Sequence, residues 1–76
     1  MPIYIVESGV RYDGTSIEYV ASEENLATDY ILEHIGMPCI DFWTITEMEI
    51  DQKRNMAPYK EFDADGILTH IDGRMI

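Results

Sequence analysis

Residues 38–51, Pro-Cys-Ile-Asp-Phe-Trp-Thr-Ile-Thr-Glu-Met-Glu-Ile-Asp, decide how the chain is expected to fold. Their side chains alternate in character, and a period of two is typical of a β-strand with two unlike faces. The even positions carry Ile40, Phe42, Thr44, Thr46, Met48 and Ile50. The odd positions include Trp43 and Ile45 and end in the carboxylates Glu47, Glu49 and Asp51. We expect the even face to lie on the core and the odd face to lie outside.

An amphipathic helix is predicted directly before this strand. Ser22 is suited to cap its N-terminus, and Gly36 followed by Met37-Pro38 is a typical helix end. On the helical wheel the apolar side is expected to comprise Leu26, Ala27, Tyr30, Ile31, His34 and Ile35. The helix would span about 14 residues, and its apolar side would cover one face of a sheet.

The first part of the chain predicts a β-hairpin. Residues 3–6 are apolar on both sides, which suits an interior strand. Asp13-Gly14 between two strand-like segments favours a two-residue turn, which would pair Val10 with Ile17. Gly9 is expected to mark a bulge in the first strand.

The last part of the chain predicts a second hairpin. Residues 52–58 are polar and contain a proline, as in a linker. Residues 59–62 and 67–71 are strand-like and flank a four-residue loop, and residues 74–76 follow another Asp-Gly turn as a short strand or a tail. The predicted fold class is therefore α+β. It is a two-layer sandwich with a mostly antiparallel sheet: a ββαβ core in residues 1–51, a linker in 52–58, and a hairpin and tail in 59–76 packed on the same single domain.

Charge is the strongest compositional feature. The 76 residues contain 15 acids and five Lys or Arg, for a formal net charge of −10. Eleven acids and one base, Arg11, lie in residues 1–51, and the remaining residues hold four of each, so the first segment carries the whole imbalance. Like charges repel, so we expect no direct binding to nucleic acid or to an anionic membrane. A basic protein surface is the expected partner, and the alternative is that the acidity serves solubility alone.

Other sequence features argue against several classes of protein. The lone Cys39 has no partner for an internal disulfide, and the chain lacks a signal peptide and the roughly 18 apolar residues of a membrane span. We therefore expect a cytoplasmic protein. A domain this small is marginal on its own core, which favours a homodimer or a partner. No phosphate loop or nucleophile motif is present, so we expect neither an enzyme nor a cofactor.

The candidate partner-binding surface is the carboxylate row of Glu47, Glu49 and Asp51. Alternate strand residues lie about 6.6–6.8 Å apart, roughly two axial phosphate steps of B-DNA. Such a row could therefore mimic nucleic acid. Further members are expected to be Glu18, Asp29 and Glu33, with Trp43 and Ile45 as an apolar anchor. Two alternatives are open: a solvated outer face without a partner, and a Trp43 covered by the C-terminal hairpin.

Residues 61–72 partly match a calcium-binding loop, with acids at Glu61, Asp63, Asp65 and Asp72. The end positions carry the wrong acids, and strand-favouring residues replace the flanking helices. A hairpin is therefore the default interpretation, and calcium binding is a weak alternative. His34, His70 and Cys39 are too scattered to predict another metal site.

Four segments together resemble small uncharacterised ββαβ proteins of phages and bacteria. These are residues 3–9, the following hairpin, the helix start at residues 21–24, and residues 45–51. The resemblance covers residues 1–51 and supplies no catalytic residues. It implies a phage-encoded protein, and small acidic phage proteins are often inhibitors, including anti-CRISPR proteins and DNA mimics.

These observations lead to one main hypothesis. The chain is a non-enzymatic inhibitor that blocks a basic surface of a host nucleic-acid-handling or defence protein in the bacterial cytoplasm. The alternative is a structural or assembly module that acts as a homo-oligomer, and a calcium-binding protein is third.

Overall fold

The computed structural model describes residues 2–10, 13–49 and 59–76. In this part of the chain six strands and one helix follow in the order β1 (Pro2–Val10), β2 (Gly14–Ala21), α1 (Glu24–His34), β3 (Phe42–Glu49), β4 (Lys60–Asp63), β5 (Leu68–Ile71) and β6 (Arg74–Met75). All six strands form one antiparallel sheet in the order β2-β1-β3-β4-β5-β6.

The predicted α+β class is wrong. Strands occupy 55% of the described residues and the helix only 17%, so the protein is a small β-rich fold with one open sheet. The prediction treated the C-terminal hairpin as an addition to a ββαβ sandwich. Instead β4 pairs along β3, with Trp43 opposite Phe62, and β5 and β6 continue the same sheet. An unpaired edge of β3 would leave its backbone groups without partners, and β4 supplies partners along residues 42–45.

The expected orientation of β3 is also wrong. Trp43 and Ile45 are 1% and 0% exposed and belong to the main core cluster, together with Val6, Ala27 and Ile31. The odd face of β3 therefore lies under α1. Thr44, Thr46 and Met48 on the even face are buried as well. Side chains are thus buried on both faces of β3, which lies inside the sheet between β1 and β4.

Helix α1 is shorter than predicted, and its N-terminal cap is Glu23, without a side-chain cap hydrogen bond, instead of Ser22. The expected stop is confirmed: Ile35 ends the helix, and Gly36 has φ +85°, a conformation that favours glycine. Only Ala27 and Ile31 of the predicted apolar side are fully buried, and Leu26 and Ile35 are exposed. The helix packs against β1 and β2. At 11 residues it is the only described helix, and it is not long and apolar enough to span a membrane.

The first hairpin forms in a different register from the one expected. Val10 pairs with Gly14 instead of Ile17, and Asp13 N–H donates to Val10 C=O at 2.9 Å. The register shifts between Val6 and Glu7, where β2 carries Glu18 as an extra residue, so the bulge is not at Gly9. Gly9 has another role: the ring of Phe42 lies over it and occupies the space that a Cβ would need.

The second hairpin is confirmed, with a turn over residues 64–67 between β4 and β5. The Asp63 carboxylate holds this turn, because its Oδ1 accepts from the N–H groups of Asp65 and Ile67, each at 2.9 Å. Asp72-Gly73 then turns the chain into β6. The predicted linker, residues 52–58, lies outside the described residues.

Candidate protein-binding surface

Five of the predicted partner-binding acids are exposed on the side of the sheet that carries α1. We call them the helix-side acids: Glu18, Asp29, Glu33, Glu47 and Glu49. Asp29 and Glu33 project from α1. Glu47 and Glu49 extend the odd face of β3 beyond the buried Trp43 and Ile45, as alternation requires. Asp51, the last member of the predicted row, lies outside the described residues.

Glu47 is anchored beside Tyr4 of β1, its direct neighbour in the antiparallel register. The Tyr4 hydroxyl donates to Glu47 Oε1 at 3.5 Å, a long contact. Partial burial raises the pKa of the Tyr4 hydroxyl, and the nearby charges of Glu47 and Glu24 raise it further. The carboxylates of Glu47 and Glu24 therefore both raise the pKa of the Tyr4 hydroxyl, which lies where the start of α1 meets the end of β3.

Glu18 owes its position to the β-bulge. As the extra residue of β2 it accepts a hydrogen bond from the Ser8 hydroxyl at 3.1 Å, and Ser8 lies beside Trp43 on the helix-side face. Burial raises the pKa of Tyr30 on α1, and the negative charge of Glu18 adds to this effect. Glu18 thus brings a negative charge to the second half of the helix.

Acids far outnumber bases in the segment of the sequence that carries these carboxylates. Between residues 2 and 49 the sequence contains one Lys or Arg, Arg11, which lies outside the described residues. Lys60 of β4 contacts Glu24 at 3.1 Å, so its charge is matched by an acid outside the helix-side set. A strongly negative surface follows from this imbalance.

Trp43 and Ile45 cannot serve as the predicted exposed anchor, because both are buried. The C-terminal hairpin does not cover Trp43 either, since it lies beside β3 in the sheet. Trp43 instead meets the ring of Tyr30 edge-on, with centroids 6.3 Å apart. Tyr30 is also stacked between Tyr19 and His34, at 5.0 and 4.0 Å. The aromatic residues of this face therefore join the helix to the sheet.

The calcium alternative does not fit the geometry of the hairpin. Asp63 uses Oδ1 to hold the turn, Glu61 faces His70, and Asp72 belongs to the following turn. Within residues 2–10, 13–49 and 59–76, no group of three or more His, Cys, Asp or Glu side chains is arranged to hold a metal ion.

Sequence reasoning missed a Glu–His pair on the opposite face. Glu61 Oε2 lies 2.9 Å from His70 Nδ1, and Nδ1 is also 3.0 Å from Thr69 Oγ1. The Thr69 hydroxyl donates to Glu61 C=O at 3.1 Å, so its oxygen accepts from His70, and Nδ1 carries the hydrogen. The Thr69 hydroxyl faces Nδ1 and is already committed as a donor, so the trio is not a nucleophile with its base.

A bulge explains why the pair was missed. The register shifts between Glu61 and Phe62, which pairs Phe62 with Leu68 and Glu61 with His70. The predicted hairpin, with its loop at residues 63–66, would have placed Leu68 opposite Glu61 instead of His70. The only sequence feature that points to this bulge is Thr69, whose hydroxyl can hydrogen-bond to the backbone of the opposite strand, and that feature is weak.

Comparison with known proteins identified no relative of this chain. No family model matches the chain, and no match was found among curated proteins or solved structures.

Proposed function

We propose that this protein binds a basic surface of another protein through the helix-side acids and acts there as an inhibitor. The observation that supports this proposal most directly is the exposure of all five acids on one side of the sheet, in a segment with a single basic residue. The target we favour is a protein that handles nucleic acid, because its phosphate-binding groove is a basic surface of the required kind.

The charge pattern predicts how such a complex would form. A concentrated negative field steers a positively charged partner during diffusion and raises the association rate at low ionic strength. Salt screens this attraction over a distance of about 10 Å at 0.1 M. The affinity should therefore fall as salt is added, mainly through slower association.

The phage origin and the action against a host defence protein extend this proposal. They rest on the resemblance of residues 1–51 to small phage and bacterial proteins. On this basis the target would be found in the bacterial cytoplasm.

The experiment is a capture from nuclease-treated bacterial lysate, carried out at low and at high salt. Nuclease treatment removes partners that are held only through nucleic acid. We expect a basic nucleic-acid-binding protein to be retained at low salt and released at high salt. The captured protein is then purified for affinity and rate measurements.

Two variants that each remove three negative charges distinguish the effect of the helix-side acids on affinity from the effect of the net charge. The test variant combines Asp29→Asn, Glu33→Gln and Glu47→Gln on the helix side. The control combines Asp13→Asn, Asp65→Asn and Asp72→Asn, three exposed turn positions. We expect the test variant to lose at least about tenfold in affinity, which corresponds to about 1.4 kcal/mol, and the control to lose much less. Equal losses would show that only net charge matters, and unchanged affinity in both would remove this surface from the proposal.

A homo-oligomeric module is the second candidate, and the edge strand β2 favours it. Among the described strands β2 pairs only with β1, and it exposes Ile17 and Val20 by 57% and 51%. An exposed edge with apolar side chains is a surface that a second copy can extend. We expect sedimentation over a concentration series to show a dimer that Ile17→Lys abolishes. A monomer at the highest concentration would exclude this candidate.

A further inference from the structure

A cavity of about 570 Å³ lies at the end of the sheet where β3, β4, β5 and β6 meet. Antiparallel pairing aligns Thr44, Glu61, His70 and Met75 in one row across these four strands. Thr44 is on the even face of β3, so the row lies on the face opposite α1. Glu61, His70 and Met75 line the cavity.

The Glu61–His70 contact gives this cavity a fixed polar wall. Each side chain is about one-third exposed, at 32% and 30%, so both reach the solvent-filled space. His70 occupies one carboxylate oxygen of Glu61 through Nδ1–H, and a carboxylate can accept about four hydrogen bonds in all. Glu61 is thus held in place by the backbone, the bulge and the imidazole, and it retains acceptor capacity toward a ligand.

The remaining walls combine negative charge with apolar surface. Asp41, directly before β3, and Asp63, the last residue of β4, line the cavity with carboxylates. Phe42 supplies an aromatic ring and Met75 a flexible thioether. No lysine or arginine is among the described residues that line it. The ring of Phe42 is held over Gly9, so the aromatic wall is positioned by packing before any ligand arrives.

We propose that this cavity binds a small organic cation, an amine or a guanidine attached to an apolar body. The volume falls within the usual range for small-molecule sites, and such sites combine apolar walls with a few polar groups that set orientation. A guanidinium or ammonium group would donate to Glu61, and the apolar body would rest against Phe42 and Met75. Cations are also attracted to the face of an aromatic ring. Anions are disfavoured by three carboxylates.

This site is separate from the proposed protein-binding surface. The helix-side acids lie on the other face of the sheet, and Glu47 and Glu49 lie at the other end of β3 from Phe42. A binding measurement with a small ligand and no protein partner therefore tests the cavity alone. If no small cation binds, the proposed protein-binding function still stands. If no protein partner binds, the proposed cavity site still stands.

The test uses three probes of one shape: benzamidine, benzamide and benzoate, with charges of +1, 0 and −1. Each is titrated into the full chain at neutral pH, and the affinity is read from amide chemical shifts. We expect benzamidine to bind about tenfold more tightly than benzamide, since one charge-assisted hydrogen bond is worth about that factor, and benzoate to bind least. The shifts should centre on β4, β5 and β6.

Glu61→Gln keeps the shape of the side chain and removes its charge, and we expect it to abolish most of the preference for benzamidine. Asp72→Asn removes the same charge from an exposed turn outside the cavity and tolerates the positive φ of 53° at this position. It should keep the preference. Equal binding of benzamidine and benzamide, or an equal effect of the two variants, would overturn the proposal.

A second pair of variants keeps the test valid if Glu61→Gln fails to fold. Met75 is 79% exposed, so Met75→Lys and Met75→Gln should both fold. The added lysine places a competing cation at the cavity, and we expect it to weaken benzamidine binding about tenfold relative to the glutamine variant. Equal affinity in the two variants would contradict a cation site at this position.

Discussion

The two faces of β3 look alike in burial but are built differently. The odd face packs Trp43 and Ile45 under α1, where Tyr30 closes the contact through its ring. The even face buries Thr44 between Glu7 and Glu61 of the neighbouring strands, and Glu7 is itself only 3% exposed. The odd face therefore contributes to the apolar core, whereas the even face carries a polar row at Thr44. Alternation in a sequence separates two sets of side chains but does not state which set the helix covers.

Trp43→Ala should cause the largest loss in the free energy of unfolding, because it leaves a cavity in the core between α1 and the sheet. Removing a buried Trp side chain costs about 3–5 kcal/mol, which is a large fraction of the stability of a small domain. The measurement is urea unfolding followed by circular dichroism. As a matched control, Ile17→Ala at an exposed position should change the free energy of unfolding by about 0.5 kcal/mol or less. A loss below about 1 kcal/mol for Trp43→Ala would contradict the assigned core.

Gly9→Ala probes the opposite face and should have a smaller effect. The new methyl group displaces the Phe42 ring, and the expected net loss is about 1 kcal/mol, since overpacking exceeds the entropic gain from replacing glycine. A double-mutant cycle with Phe42→Ala isolates the contact. In that background Gly9→Ala should become neutral or stabilising. An equal cost in both backgrounds would show that Phe42 is not the reason for the glycine.

Lys60→Gln tests whether the ion pair fastens β4 to the helix. Lys60 and Glu24 are 23% and 34% exposed, and pairs with such access to solvent contribute about 0–1 kcal/mol. We expect a loss within this range at low salt that largely disappears at 1 M salt, where the screening length is about 3 Å. A loss that does not depend on salt would point to packing of the lysine stem instead.

Glu47→Gln should have the smallest and most local effect. The pKa of Tyr4 is raised by partial burial and then by the charges of Glu47 and Glu24, so removing the Glu47 charge should lower it toward the ordinary value without restoring it fully. A tyrosine titration by NMR measures this pKa. Because the folded-state pKa is raised, this group favours folding below the ordinary tyrosine pKa, and that contribution is lost as pH rises through the folded-state value.

Glu33→Gln is the control for this titration. Glu33 is exposed on α1 and is not among the groups that raise the pKa of Tyr4. The Tyr4 titration should therefore be unchanged in this variant. A similar decrease in both variants would mean that Tyr4 senses the total charge of the surface instead of its neighbour.

Both hairpins contain a β-bulge at a position that the sequence did not predict. Glu18 and Thr69 are the extra residues, and each shifts the side chains beyond it by one position. Neither position carries a glycine or another strong bulge signal. The five helix-side acids were nevertheless all named from the sequence. For the acids of α1 and β3, exposure follows from local periodicity, whereas the position of Glu18 depends on the bulge. The Glu61–His70 pair was not named, because it depends on the bulge in the second hairpin.

The sequence by itself determined the local features: the strand character of β3, the end of α1 at Gly36, the Asp-Gly turn before β6 and the unbalanced charge. Each depends on neighbouring residues, on backbone conformations that favour glycine, or on simple composition. Only the tertiary structure decided that β4–β6 extend one sheet, that Trp43 faces the helix, and that Glu61 meets His70. These outcomes depend on pairing between distant segments, and the free energy of such pairing is not contained in any single stretch of the chain.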